Sequence, residues 1–64
     1  MNLGETLKLL RKTKDVTQVQ LAKDLGIDKS TVACYETNRN EPNIEMLKKL
    51  AGYFDVTLDE LLDY

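Results

Sequence analysis

A chain of 64 residues is sized for one domain, near the lower limit at which a hydrophobic core suffices without metal or disulfide staples, and it leaves no room for a second module. A single cysteine, Cys34, excludes an intramolecular disulfide, and without any histidine a Cys/His metal site cannot be assembled, a composition that fits a reducing cytosol. The net charge of −2 and a pI near 4.9, taken whole, argue against a nucleic-acid binder, which usually carries a basic face.

The distribution of charge qualifies that exclusion. Residues 1–40 hold seven basic groups (Lys8, Arg11, Lys12, Lys14, Lys23, Lys29, Arg39) against five acidic ones (Glu5, Asp15, Asp24, Asp28, Glu36), a net of +2. Residues 41–64 hold Lys48 and Lys49 against six acids (Glu41, Glu45, Asp55, Asp59, Glu60, Asp63), a net of −4. The start, MNLGETLKLLRK, has no apolar stretch of signal-peptide length, and no apolar run is long enough for a bilayer. A soluble, cytoplasmic protein is expected.

Five helices and no strands can be placed from caps and periodicity, so an all-α fold is expected. Asn2 and Glu5 read as a capping box, and Leu3, Leu7 and Leu10 then recur at helical spacing to about Thr13. Thr17 and Gln20 form the next box, with Val16 and Leu21 spaced as its hydrophobic staple, and the second helix runs from Gln18 to about Leu25. Asp28 is placed to cap a third helix reaching Glu36 or Thr37, which Asn38 ends in the left-handed conformation. After a polar loop to Pro42, Asn43 caps a fourth helix with Ile44, Leu47, Leu50, Ala51 and Phe54 on its inner stripe and a weakening Gly52 near its end. Thr57 and Glu60 repeat the box, with Val56 and Leu61 as staple, and open a fifth helix carrying Leu58, Leu61 and Leu62. Leu7, Leu10, Leu21, Ala22, Leu25, Val32, Tyr35, Leu47, Leu50, Phe54, Val56 and Leu61 suffice for one compact core.

Between Thr17 and Glu36 the second and third helices meet at a bend. A bihelical corner needs a small residue where the helices touch, a glycine free to take positive φ between them, and a branched apolar plug from the second helix. Ala22, Gly26 and Val32 meet these needs, and Leu21, Leu25, Ile27 and Tyr35 supply further inward positions. This is the pattern of a helix-turn-helix, whose second helix commonly enters the DNA major groove.

If Val32 and Tyr35 pack inward, the helical period puts Lys29, Ser30, Ala33, Cys34 and Thr37 on the opposite stripe. Lys29 can donate to guanine O6 and N7 or to phosphate, Ser30 can donate or accept at base edges, and Ala33 can pack a thymine methyl. Cys34 brings only a weak donor, so direct readout is expected to be lean. Phosphate contacts are expected from Thr17 and Gln18 at a helix N-terminus, and from Thr37, Asn38, Arg39 and Asn40 just past the third helix.

The chain resembles the Cro/repressor-type helix-turn-helix domains of the XRE family across LGETLKLLRKTKDVTQVQLAKDLGIDKSTVACYETNRNEPNIEMLKKLAGYFDVTLDELL. The LRK ending the first helix, the TQ opening the second, the LAKDLGI corner, the STV and YE of the third, the NEP loop and the closing VTLDELL arrive in the family's order. The resemblance implies a compact five-helix, lambda-repressor-like domain spanning residues 1–64, with the helix-turn-helix unit at 17–36. It implies that Gln18 contacts phosphate and braces the start of the recognition helix, that Lys29, Ser30 and Cys34 take base-reading positions, and that Arg11 and Glu36 form a salt bridge. It further implies a homodimer on a near-palindromic operator, often joined through the fifth helix. Position 38, usually glycine in such domains, is Asn here, and position 34, often a long polar side chain, is Cys.

The expected function is a sequence-specific DNA-binding transcriptional regulator, a repressor that occupies a promoter as a homodimer on double-stranded DNA. No cofactor, metal, membrane or small-molecule substrate is expected. The alternative is a protein-interaction module, an antirepressor or partner-docking domain, that keeps the fold without DNA binding; its support is the acidic total and the thin reading stripe. An exposed stripe of Leu58, Leu62 and Tyr64 would be its docking surface or the dimer seam. An enzyme is not expected, since Cys34 is the only nucleophile of note and lacks a general base. A thiol on the reading stripe also admits a redox switch, weighed against the plainer reading of a small residue that happens to be cysteine.

Overall fold

The computed structural model describes residues 3–62, and every regular element among them is helical. In chain order these are α1 (Leu3–Thr13), α2 (Gln18–Leu25), α3 (Lys29–Glu36), α4 (Ile44–Phe54) and α5 (Leu58–Leu62). Helix α3 packs against both α1 and α2, while α5 packs against α1 and α4. Among the described residues eight buried apolar ones, Leu7, Leu21, Ala22, Leu25, Val32, Leu50, Ala51 and Leu61, draw on all five helices and form one cluster.

The starts of the helices follow local chemistry, with one exception. Thr17 accepts the Gln20 backbone N–H at 3.0 Å, and Asn43 accepts that of Met46 at 2.8 Å. The box opening α5 is reciprocal: Glu60 N–H donates to Thr57 Oγ1 at 3.0 Å, and Thr57 N–H donates to Glu60 Oε1 at 2.9 Å. The box expected at α2 is only half made, because the Gln20 amide turns forward to donate to Asp24 at 2.8 Å. Asp28 stands at the N-cap of α3 with extended backbone but makes no side-chain cap bond; its exposed carboxylate stays in water. The expected cap at Asn2 lies outside the described residues.

The ends of α1 to α4 share one device. In each, a residue with left-handed backbone follows the helix, and its own amide and that of the next residue turn back onto last-turn carbonyls, the Schellman arrangement. The left-handed residues are Asp15 (φ 62°), Gly26 (φ 73°), Asn38 (φ 61°) and Asp55 (φ 58°). The return bonds are Val16 N–H to Arg11 at 3.1 Å, Ile27 to Ala22 at 2.9 Å, Arg39 to Cys34 at 2.9 Å and Val56 to Ala51 at 2.9 Å. Only one of the four turns uses glycine, so three carry side-chain strain that the closed hydrogen bonds offset.

Two expectations about burial change. Ile44, assigned to the inner stripe of α4, is 56% exposed: it opens the helix, and the buried residues of α4, Leu50 and Ala51, come about two turns later. Leu58 and Leu62, expected to form an exposed stripe, are both half-buried. Leu58 packs on the core, and Leu62 lines a groove with Leu3, Pro42 and Leu47. Tyr64, the third member of that stripe, lies outside the described residues.

Gly4 is a packing residue with no local sequence signal. A Cβ there would lie 2.5 Å from the Glu36 carbonyl oxygen and 2.8 Å from that of Tyr35. Only a bare backbone lets α1 approach the end of α3 this closely.

Candidate nucleic-acid interface

The corner between α2 and α3 is set by Gly26 and by the contact of Ala22, 3% exposed, with a core that includes Val32, 1% exposed. With Val32 inward, Lys29, Ser30 and Thr37 on α3 and its end are exposed, and Ala33 and Cys34 are half-buried. The outward stripe is therefore solvent-facing at its two ends and recessed in the middle.

A buried ion pair holds α3 in place from behind. Arg11 Nε donates to Glu36 Oε2 at 2.6 Å, with side chains 11% and 4% exposed. Arg11 Nη2 donates to Glu36 Oε1 at 3.3 Å, and Arg11 Nη1 donates to the Val16 carbonyl at 2.9 Å. Gln18 Nε2 completes the carboxylate's shell by donating to Oε1 at 2.9 Å. One carboxylate at the end of α3 thus ties together α1, the turn after it and the first residue of α2. The brace supplied by Gln18 reaches the end of α3, at Glu36, rather than its start: the corner brings the first turn of α2 beside the last residue of α3.

An open depression of about 590 Å³ lies over this junction, lined by Arg11, Lys12, Asp15, Val16, Thr17, Gln18, Val19 and Lys29. It brings Lys29 together with Thr17 and Gln18, and adds Lys12, a cation that sequence reasoning did not single out for this face. Proton bookkeeping sorts the hydroxyls and amides nearby, because a phosphate oxygen only accepts. Thr17 uses its oxygen as a cap and keeps its hydrogen to donate. Gln18 uses one of two amide hydrogens on Glu36 and has a second. Thr37 spends its single hydroxyl hydrogen on the Ala33 and Cys34 carbonyls, at 2.9 and 3.3 Å, so it would have to break from its own helix to donate elsewhere.

The residues past α3 stand apart from this junction. Asn38 and Asn40 line a smaller groove of about 230 Å³ with Leu3, Glu41, Pro42, Leu47 and Leu62, while Arg39 is exposed. Asn38 Oδ1 accepts the Gly4 backbone N–H at 3.0 Å. On the far side of the corner, Tyr53 of α4 donates its phenol hydrogen to Asp24 of α2 at 2.7 Å, and Lys14 Nζ sits 5.2 Å from the centre of the Tyr53 ring. That hydrogen bond to a carboxylate, then burial, then the carboxylate's charge raise the Tyr53 pKa above its ordinary 10.0. Nothing local in the sequence pairs Asp24 with Tyr53, which lie 29 residues apart.

The helix-turn-helix family model HTH_3 matches residues 7–61, nearly the whole chain. The chain belongs to the XRE-type helix-turn-helix family. It is 48% identical over 62 residues to the HTH-type transcriptional regulator AnsR of Bacillus subtilis (strain 168), covering 97% of this chain and 53% of AnsR. It is 40% identical over 62 residues to the HTH-type transcriptional activator BcrR of Enterococcus faecalis, covering 97% of this chain and 30% of BcrR. Among solved structures, the N-terminal DNA binding domain of SinR from Bacillus subtilis superposes with a TM-score of 0.86 at 33% identity, covering 97% of this chain and 91% of that one. The chain thus spans about half of AnsR and less than a third of BcrR, both larger regulators. Among the described residues no helix is long and apolar enough to cross a membrane.

Proposed function

We propose that this XRE-type domain is the sequence-specific DNA-binding part of a transcriptional regulator, with α3 entering the major groove. The observation that carries the reading is the junction of α2 and α3: exposed Lys29, next to exposed Ser30 in α3, shares a depression with Thr17 and the half-buried Gln18 at the start of α2, over the Arg11–Glu36–Gln18 network. A rigid scaffold under a polar, exposed helix face is what groove reading requires, because a base-edge hydrogen bond tolerates little misplacement. The family membership and the likeness to SinR's DNA binding domain support the same reading.

Lys29 and Ser30 are assigned to base edges, Ala33 to a thymine methyl, and Cys34 to a small contact of little selectivity. Thr17 and Gln18 are assigned to phosphate through the hydrogens their structural bonds leave over, with Arg39 and Asn40 gripping the backbone past α3. A homodimer would set half-sites about one helical turn, roughly 34 Å, apart and repress by occupying a promoter.

Binding to a labelled duplex of random sequence, followed across salt concentrations, tests the reading. Affinity is expected to fall steeply as salt rises, and Lys29→Ala, at an exposed position outside the Arg11–Glu36–Gln18 network, is expected to weaken binding with the fold intact. Absence of salt-dependent binding at low salt overturns the proposal and points to the protein-interaction module instead.

A further inference from the structure

Asn38 occupies the left-handed position after α3, where glycine would be the less strained choice. What glycine lacks is an acceptor. Asn38 Oδ1 takes the Gly4 N–H, an amide in the first turn of α1 where no helical carbonyl is available, from 34 residues away in sequence. Gly4 in turn rests on the carbonyls of Tyr35 and Glu36, so the last turn of α3 is gripped on its backbone and through Asn38 at once. The next residue, Arg39, has its amide closed onto Cys34 at 2.9 Å and its side chain exposed. Arg39 therefore leaves α3 from a turn held at two points, by its own amide on Cys34 and by the Asn38 side chain on Gly4.

We propose that Asn38 is a positioning residue: by capping α1 at Gly4 it holds the turn after α3 so that Arg39 meets a DNA phosphate, rather than binding phosphate itself. The inference rests on the DNA-binding reading above and refines it. Asn38 is uncharged, and counterions are released from DNA only by a cation, so the salt dependence of binding responds to Arg39 and not to a direct contact from Asn38.

The test uses the full chain and a labelled duplex of random sequence. Arg39→Ala should make the slope of log affinity against log salt shallower by about 0.9. Asn38→Gly, which keeps the left-handed turn and removes the side-chain amide with its acceptor for Gly4, should make it shallower by at least half as much, and the double variant should match Arg39→Ala alone. Hydrogen exchange at the Gly4 amide should speed up in Asn38→Gly and slow again in Asn38→Asp, which retains the oxygen. An unchanged slope in Asn38→Gly, losses that add in the double variant, or an equally protected Gly4 amide overturns the proposal. So does an Asn38→Gly chain that is unfolded at the assay temperature. A parent chain that fails to bind duplex overturns the DNA reading as well, and is seen before any variant is made.

Discussion

Two helical glycines, Gly4 in α1 and Gly52 in α4, should respond to alanine with opposite signs. Intrinsic propensity favours alanine at both, by up to about 1 kcal/mol. At Gly52 a Cβ meets nothing within 4 Å, so Gly52→Ala should stabilise by about 0.5–1 kcal/mol. At Gly4 the Cβ would sit 2.5 Å from the Glu36 oxygen, 2.8 Å from the Glu36 carbonyl carbon and 2.8 Å from the Tyr35 oxygen, where ordinary contact begins near 3.4 Å. All three atoms are backbone and cannot rotate away, so the backbone of α1 or of the end of α3 must shift to make room. That displacement also pulls on the Gly4–Asn38 bond and the Arg11–Glu36 pair, which span the same two helices. Overpacking against unyielding atoms costs about 1–3 kcal/mol, and the upper part of that range applies here. With the propensity gain subtracted, Gly4→Ala should destabilise by about 2 kcal/mol and lower the melting temperature by roughly 8–16 °C. Urea and thermal unfolding followed by circular dichroism at 222 nm measure both variants. A Gly4→Ala protein as stable as the parent would refute the close approach of α1 to α3.

Other consequences concern caps, charge and pH. Asp55→Gly should raise stability by about 1 kcal/mol, because it relieves a left-handed side chain and removes a negative charge from the C-terminal end of α4; a lower urea midpoint would contradict this. Arg11→Met strands the Glu36 carboxylate with Gln18 as its only remaining side-chain partner in the network and should cost about 3–5 kcal/mol. Since total stability for this size is on the order of 3–10 kcal/mol, a large unfolded fraction at 25 °C is expected by circular dichroism. Because the Tyr53 pKa is raised on folding, its contribution is fully present below pH 10 and is lost as pH climbs through the folded value. Stability measured from pH 9 to 12 should therefore fall, and Tyr53→Phe should flatten that part of the profile.

The features legible in the sequence are those whose chemistry is local. Thr17, Asn43 and Thr57 cap helices three residues away, and Ala22, Gly26 and Val32 form a corner from neighbouring turns, so residue type and spacing suffice to find them. Asp28 has the right type and place but forms no cap bond, since water competes for an exposed carboxylate. Asp15 and Asp55 were not legible as left-handed ends, because the usual mark of that conformation is glycine and aspartate occurs in many others. Ile44 has helical phase with Leu47 and Leu50, yet phase cannot say where the core stops. Gly4, and the links from Gly4 to Asn38 and from Asp24 to Tyr53, depend on segments about thirty residues distant. At the candidate interface, the helical period with Val32 and Tyr35 inward placed Lys29 and Ser30 on the outer face, whereas the bonds of Thr37 to its own helix and of Asn38 to Gly4 emerge only in the folded structure.

Selection of bound duplexes from a random DNA pool tests the central claim, that the exposed face of α3 reads base sequence. The expected result is enrichment of a near-palindromic site with half-sites about one helical turn apart, relaxed at one position in Lys29→Ala. A pool that emerges with no enriched sequence, or one that Lys29→Ala leaves unchanged, contradicts it.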